Sequence, residues 1–261
     1  RLVGSEMCIR DSICALSTPE HNYLETGFWA RTRGEEIPVA GKTVWFLRKV
    51  VDVTEEVEAI RNGMMAEGKW GIMGMRRVYK EIEDRYAAQT EHEVSCYSMW
   101  GGKMYLMFYY DVYKDVRLVG TPPITLGAFG GDHDNWGWPQ HKGDFTLYRV
   151  YADAEGRPAE YSAGNVPLKP RRVLRIATGG VHDGDFAMVI GFPGHTNRYA
   201  SSFAVAEKQR VKNPVVVANR HDRMDILKRH MERDPKVRMK YSDSYFCLLY
   251  TSDAADEGLG V

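Results

Sequence analysis

The run from Glu93 to Val119, "EVSCYSMWGGKMYLMFYYDVYKDVRLV", constrains the fold more than any other part of this chain. It is dense in β-branched and aromatic residues, whose side chains pack well on a pleated surface. Gly101-Gly102 splits it, and a Gly-Gly pair between two such runs reads as a hairpin with a tight two-residue turn. "KTVWFLRKVVDV", "DFTLYRVYA", "RRVLRIA" and "DFAMVIGF" are further short strand-like runs, separated by clusters of Gly, Pro and Asp. Strands at this spacing, over roughly residues 43–192, suit a β-barrel or sandwich.

Helical patterns interrupt and then replace the strands. Thr54 is placed to N-cap "EEVEAIRN", whose acidic first turn suits the positive end of the helix dipole, and Gly63 is placed to end it. "IMGMRRVYKEIEDRYAAQT" sets Ile72, Met75, Val78, Tyr79, Ile82 and Tyr86 at i, i+3, i+4 spacing, which predicts an amphipathic helix. After "GFPGHTNRY" the texture switches. Val217, Met224, Leu227 and Met231 fall on one helical face with charges of both signs between them, so a second domain begins near residue 200.

A chain of 261 residues has room for one large domain or two smaller ones. Its 44% hydrophobic and 11% aromatic content exclude disorder. The 35 basic and 35 acidic side chains cancel, which gives no electrostatic footprint for nucleic acid or an anionic membrane. No apolar run approaches the ~20 residues of a membrane span. Cys8, Cys14, Cys96 and Cys247 contain no C-x-x-C, which excludes zinc-ribbon and thioredoxin-type readings and leaves ordinary thiols or a disulfide whose pairing the spacing does not assign. Both ends, "GSEMCIRDS" and "CLLYTSDAADE", resemble translated sequencing-adaptor read-through. Residues 1–12 and 244–261 are therefore expected to be foreign and unpacked, and native protein is expected from Ile13 to Asp243.

The chemistry concentrates in "GTPPITLGAFGGDHDNWGWPQHKGD", between Val119 and Phe145. Loops beyond ~12–15 residues without their own secondary structure are uncommon and tend to be functional. Three readings compete. His133, His141, Asp132, Asp134 and Asp144 are suitable metal-ligand types, though no spacing such as H-E-x-x-H fixes them on one face. The Asp and Asn residues can instead cap turns while Trp136 and Trp138 fill a core edge. The third reading is a catalytic loop carrying the acid that orients a histidine base. Spacing does not choose among these aspartates, and no serine has a G-x-S-x-G or G-D-S-G-G setting.

A resemblance goes further. "LSTPEHNYLETGFWA", "YKDVRLVGTPP", "FGGDHDNWGWPQHKGDFTLYRVYA", "NVPLKP" and "VIGFPGHTNRY" resemble, in order, the bacterial serine dipeptidyl-peptidase family containing types seven and eleven. The likeness implies a mainly β fold with helical insertions. It would comprise part of a chymotrypsin-like double β-barrel over residues 13–199 and the start of an inserted α-helical domain over 200–243. It implies release of dipeptides from free N-termini by a His-Asp-Ser triad, with no metal or other cofactor, in a periplasmic or secreted enzyme acting as a homodimer. The implied partners are peptides with a free N-terminus, not nucleic acid or membrane. By position, Asp144 of "HKGDF" is the triad acid, and Asn135 and Trp136 belong to the pocket for the substrate's terminal ammonium.

The departures are as informative. The family's triad histidine lies in a His-His-Cys-Gly segment just before "LSTPEHNYL", where this chain has "SEMCIRDS". His21 matches a different family position and is not the base. The family's serine lies past the end of this chain. The parent is thus expected to be an enzyme and this polypeptide an inactive fragment of it. The rivals are a metal-dependent hydrolase built on His133, His141 and Asp144, and a β-rich binding module with an aromatic recognition loop.

Overall fold

A computed structural model describes residues 11–127, 129, 141, 143, 145–173, 175, 178–186, 188 and 200–256. The chain divides into two compact units. One holds residues up to Glu36, Leu118–Tyr148 and those from Pro170 onward; the other holds Ile37–Arg117 and Arg149–Lys169.

The second unit is built on the hairpin. Strands β3 (Val44–Asp52), β4 (Glu93–Met99) and β5 (Met104–Tyr113) form an antiparallel sheet in the order β3-β5-β4, with β5 in the centre. Helices α3 (Thr54–Ala66) and α4 (Gly74–Ala87) pack against it. The core between them is Val53, Val57, Val78, Ile82, Cys96, Tyr105, Met107 and Tyr109. Val57, Val78, Ile82 and Met107 are fully buried, each worth ~1.5–3 kcal/mol against exposure. In the same unit β2 (Ile37–Pro38) leads to Val39, whose N–H donates to the Val116 carbonyl, and Tyr151 and Ala152, at the end of β7 (Leu147–Ala152), pair with β8 (Val166–Pro167).

Several local expectations need correction. The hairpin turn has four residues, because Met99 pairs with Met104, and Trp100, Gly101 and Gly102 all take positive φ. The run after it is not one strand. It breaks at Lys114-Asp115, because buried Asp115 is claimed by side chains of its own unit, and the chain resumes as β6 (Val116–Thr121). Thr54 does not cap α3. Its hydroxyl accepts from Tyr105 N–H (2.9 Å), and Asp52 accepts from Thr54 N–H (2.9 Å) instead. The helix passes Gly63 and stops at Ala66, with left-handed Gly68 just beyond. Val78, Ile82 and the partly buried Met75, Tyr79 and Tyr86 form the expected inner face of α4, but Ile72 precedes the helix and is fully exposed.

In the first unit α1 (Asp11–Leu16) buries Ile13, and α2 (Tyr23–Thr26) is capped by Asn22, whose side chain accepts from Glu25 N–H. Strand β1 (Phe28–Trp29) pairs with the end of β6, Phe28 with Thr121 and Trp29 with Gly120. A Cβ on Gly120 would fall 2.4 Å from the Trp29 ring, so only glycine lets that ring lie over the strand. From Ser202 onward the chain is helical: α6 (Ser202–Glu207), a π-helical turn at Lys208–Lys212, α7 (Asn213–Arg233) and α8 (Pro235–Asp256). Met224 is buried, and Val217, Leu227 and Met231 are half-buried on the face expected for them. The tail expected to be irregular after Asp243 continues α8 to Asp256. The strands expected over 171–177 and 185–192 are not formed by the residues described there. Val173, Phe186 and Met188 are exposed and have no adjacent strand to pair with among the described residues.

Candidate active site

Asp144, Asn135 and Trp136 lie outside the described residues, as do Asp132, His133, Asp134 and Trp138. The structure does describe residues at the two ends of this segment. After β6, Pro122-Pro123 leads into the short helix α5 (Ile124–Gly127), whose Leu126 and Gly127 N–H groups both donate to the Pro123 carbonyl. Gly143 N–H donates to the Leu126 carbonyl (3.1 Å), so positions seventeen residues apart are joined. Inside that closure Phe129 meets His141 edge-to-face, centroids 6.3 Å apart.

The exit is tied as firmly. The Phe145 carbonyl accepts from the Thr121 hydroxyl (3.4 Å), which also lies 3.4 Å from the Thr146 hydroxyl, and both threonines are buried. The Phe145 ring packs on Trp29 at 6.1 Å. Gly143 and Phe145, the neighbours of Asp144 on either side, are thus anchored to α5 and to the β1–β6 pair. His141, the one member of the alternative metal set that is described, is exposed. Among the described residues no group of three or more metal-ligating side chains converges. His21 is exposed and stacks on Tyr23 at 6.0 Å, in a turn closed by reciprocal backbone bonds with Thr18.

Two buried carboxylates in the second unit escaped sequence reasoning. Asp111 on β5 receives Arg48, from the bulge in β3, and His92 Nδ1 (2.8 Å) just before β4. These line a cleft of about 650 Å³ with Tyr110, Tyr113 and Arg157. The hydrogen bond that Arg48 donates to Asp111 raises the guanidinium pKa above its ordinary value. His92 turns Nδ1 to a carboxylate, as a base would, but among the described residues the lining holds no Ser, Thr or Cys to activate. Asp115 accepts from Arg117 Nε (2.9 Å) and Nη2 (2.7 Å) and from Asn165 Nδ2 (2.9 Å). The sequence signal for both was an aspartate on a strand-like run rich in apolar and aromatic residues.

Comparison with known proteins agrees with these motifs. The family model for peptidase S46 matches residues 3–250. Dipeptidyl-peptidase 7 of Capnocytophaga gingivalis is 40% identical over 247 residues, covering 95% of this chain and 34% of that protein. The Asp/Glu-specific dipeptidyl-peptidase of Porphyromonas gingivalis is 41% identical over 244 residues, covering 91% and 34%. The crystal structure of Porphyromonas endodontalis DPP11 with the dipeptide Arg-Asp superposes with a TM-score of 0.84 at 33% identity, covering 97% of this chain and 37% of that one. That likeness bears out the expected fold class, β-sheets in a half-barrel with helices. The chain spans about a third of the length of the relatives it matches. With the family model matching nearly its whole length, this chain belongs to the peptidase S46 family.

Proposed function

We propose that this chain is part of a serine dipeptidyl-peptidase that removes dipeptides from free N-termini, and that it supplies the triad acid and part of the ammonium pocket. The observation that carries the reading is the string "DHDNWGWPQHKGDF" in a chain of this family, in a segment bracketed by the Leu126–Gly143 and Thr121–Phe145 hydrogen bonds. The names of the relatives support the reaction class, and DPP11 of Porphyromonas endodontalis has been crystallised with the dipeptides Arg-Asp and Arg-Glu.

In this reading Asp144 accepts the Nδ1–H of a histidine supplied by the rest of the protein. That bond fixes the tautomer and stabilises the imidazolium formed when a serine attacks the peptide carbonyl. Asn135 accepts from the substrate's ammonium, a charge-assisted bond worth ~1.5–3 kcal/mol. Trp136 excludes water beside it and adds a cation–π attraction. Counting from a fixed ammonium is what makes the product a dipeptide. By resemblance the enzyme works in the periplasm or outside the cell; among the described residues no helix is long and apolar enough to cross a membrane.

Two measurements test this. The 261-residue chain, without the triad histidine and serine, is expected to release no dipeptide from fluorogenic dipeptidyl substrates. Turnover that is abolished by Asp144→Ala would instead establish a self-contained site. In the complete enzyme Asp144→Asn is expected to lower kcat by a factor on the order of 10⁴ with KM little changed. Asn135→Ala is expected to lower kcat/KM roughly ten- to a hundredfold on substrates with a free amino terminus. An unchanged preference for free over N-acetylated substrates would reduce Asn135 to a turn cap.

A further inference from the structure

We infer that one end of the second unit, formed by the β4–β5 turn and the α3–α4 loop, docks on an anionic lipid surface. Aromatic contacts bring these two turns to the same end. Tyr79 of α4 meets Tyr105 of β5 at 6.1 Å, and Tyr86 meets Tyr109 at 6.4 Å. Seven helical residues at ~1.5 Å each and four strand residues at ~3.3 Å each cover similar distances, so α4 runs alongside β5 in the same direction. The loop before Gly74 and the turn before Met104 therefore sit together.

What they present is apolar and unpacked. Ile72 is 105% exposed and Trp100 80%, with Met65 and Met73 each about half exposed. Trp70 folds back over Gly74, where a Cβ would meet its ring at 2.7 Å, and this leaves Ile72 and Met73 outermost. Trp100 is held at φ 53°, the left-handed region that disfavours a bulky side chain, and its exposed ring gains no packing in return.

Cations surround these side chains. Lys69, Arg76, Arg77 and Lys103 are all exposed, while Glu67 is the single carboxylate in residues 64–77 and 99–103 and is paired with Lys69 at 2.6 Å. Arg76, Arg77 and Lys103 form no ion pair among the described residues. The zero net charge of the whole chain hides this local excess. Tryptophan with isolated aliphatic side chains enters the headgroup layer, and lysine and arginine beside it meet lipid phosphates. A protein partner fits less well. Interface cores are depleted of charge and bury ~800 Å² per side, whereas here single apolar groups stand on two turns with cations interleaved.

The test is co-sedimentation of the full 261-residue chain with vesicles of phosphatidylcholine alone or with added phosphatidylglycerol. Binding is expected only to the anionic vesicles, weakening as salt is raised. Ile72→Ser with Trp100→Ser, and separately Arg76→Glu with Arg77→Glu, are each expected to weaken it about tenfold or more, with an unchanged circular dichroism spectrum. No binding, equal binding to both vesicle types, or binding indifferent to all four substitutions overturns the inference. A dimer in solution that Ile72→Ser disrupts, without vesicle binding, would assign the surface to a second copy of the chain.

Discussion

Replacing Asp115 by alanine tests whether the break between β5 and β6 is held by one buried carboxylate. Its side chain is fully buried, and three hydrogen bonds from Arg117 and Asn165 end on it. Arg117 is itself only 11% exposed, stacks over Tyr151 at 3.7 Å and donates to the Ser162 carbonyl at 3.1 Å. The alanine variant strands that guanidinium and one Asn165 N–H donor. Removing one partner of a buried pair typically costs ~3–5 kcal/mol, a large share of a stability of ~5–15 kcal/mol. With a urea slope of ~1–3 kcal/mol/M, the midpoint followed by circular dichroism should fall by ~1–5 M. Asp115→Asn keeps the shape but loses the charge, and should cost less, ~1.5–3 kcal/mol.

The same residue predicts a pH dependence. Burial pushes the Asp115 carboxyl up, but the hydrogen bonds from Arg117 and Asn165, with the Arg117 charge, outweigh it and hold the pKa below the usual aspartate value. A depressed folded pKa means the stabilisation is complete above the unfolded value of ~3.9 and is lost as pH falls through the folded value. The difference between wild type and Asp115→Asn should thus be constant near neutrality and shrink only below about pH 4. A cost under ~1 kcal/mol for Asp115→Ala, or a difference that shrinks nearer pH 6, would refute the argument.

Two further outcomes follow from other positions. Gly27 has φ +69°, and a Cβ there would lie 2.9 Å from Pro123 N and from Thr121 O, both backbone atoms. Gly27→Ala should therefore cost at least ~2 kcal/mol in a thermal melt, against ~1 kcal/mol for Gly41→Ala, where φ is also positive but the site is open. Equal losses would show that crowding at Gly27 contributes nothing. Burial and then the charge of Glu83 push the Cys96 thiol up to about 11, so with Cys8, Cys14 and Cys247 changed to serine the folded chain should react with a thiol reagent at pH 8 only as it unfolds. This raised pKa favours the folded state fully below the unfolded thiol's ~8.5 and progressively less as pH climbs toward 11, and rapid native labelling at pH 8 would contradict the burial.

What could be read along the chain was what depends on near neighbours. The β-branched and aromatic residues of "VWFLRKVVD" gave β3, the 3.6-residue spacing of Val78 and Ile82 gave the inner face of α4, and Met224 with its neighbours gave that of α7. The family string marked the loop around Asp144 without any geometry. Local signals misled where a distant group competed for the same atom. Thr54 looks like a cap, but its hydroxyl is taken by Tyr105, 51 residues away, and Asp52 does the capping. Both aspartates stand out in "YYDVYKDVRLV", but nothing there tells what pairs with them or where the strand must break. Asp111 is matched by Arg48 at a separation of 63 residues and Asp115 by Asn165 at 50, and a carboxylate can leave water only when such partners arrive together. Periodicity follows from backbone geometry, so the sequence alone determined strands, helices and their buried faces. Which charges share the interior, and which aromatics are left outside it, depended on contacts between distant segments, and only the tertiary structure decided them.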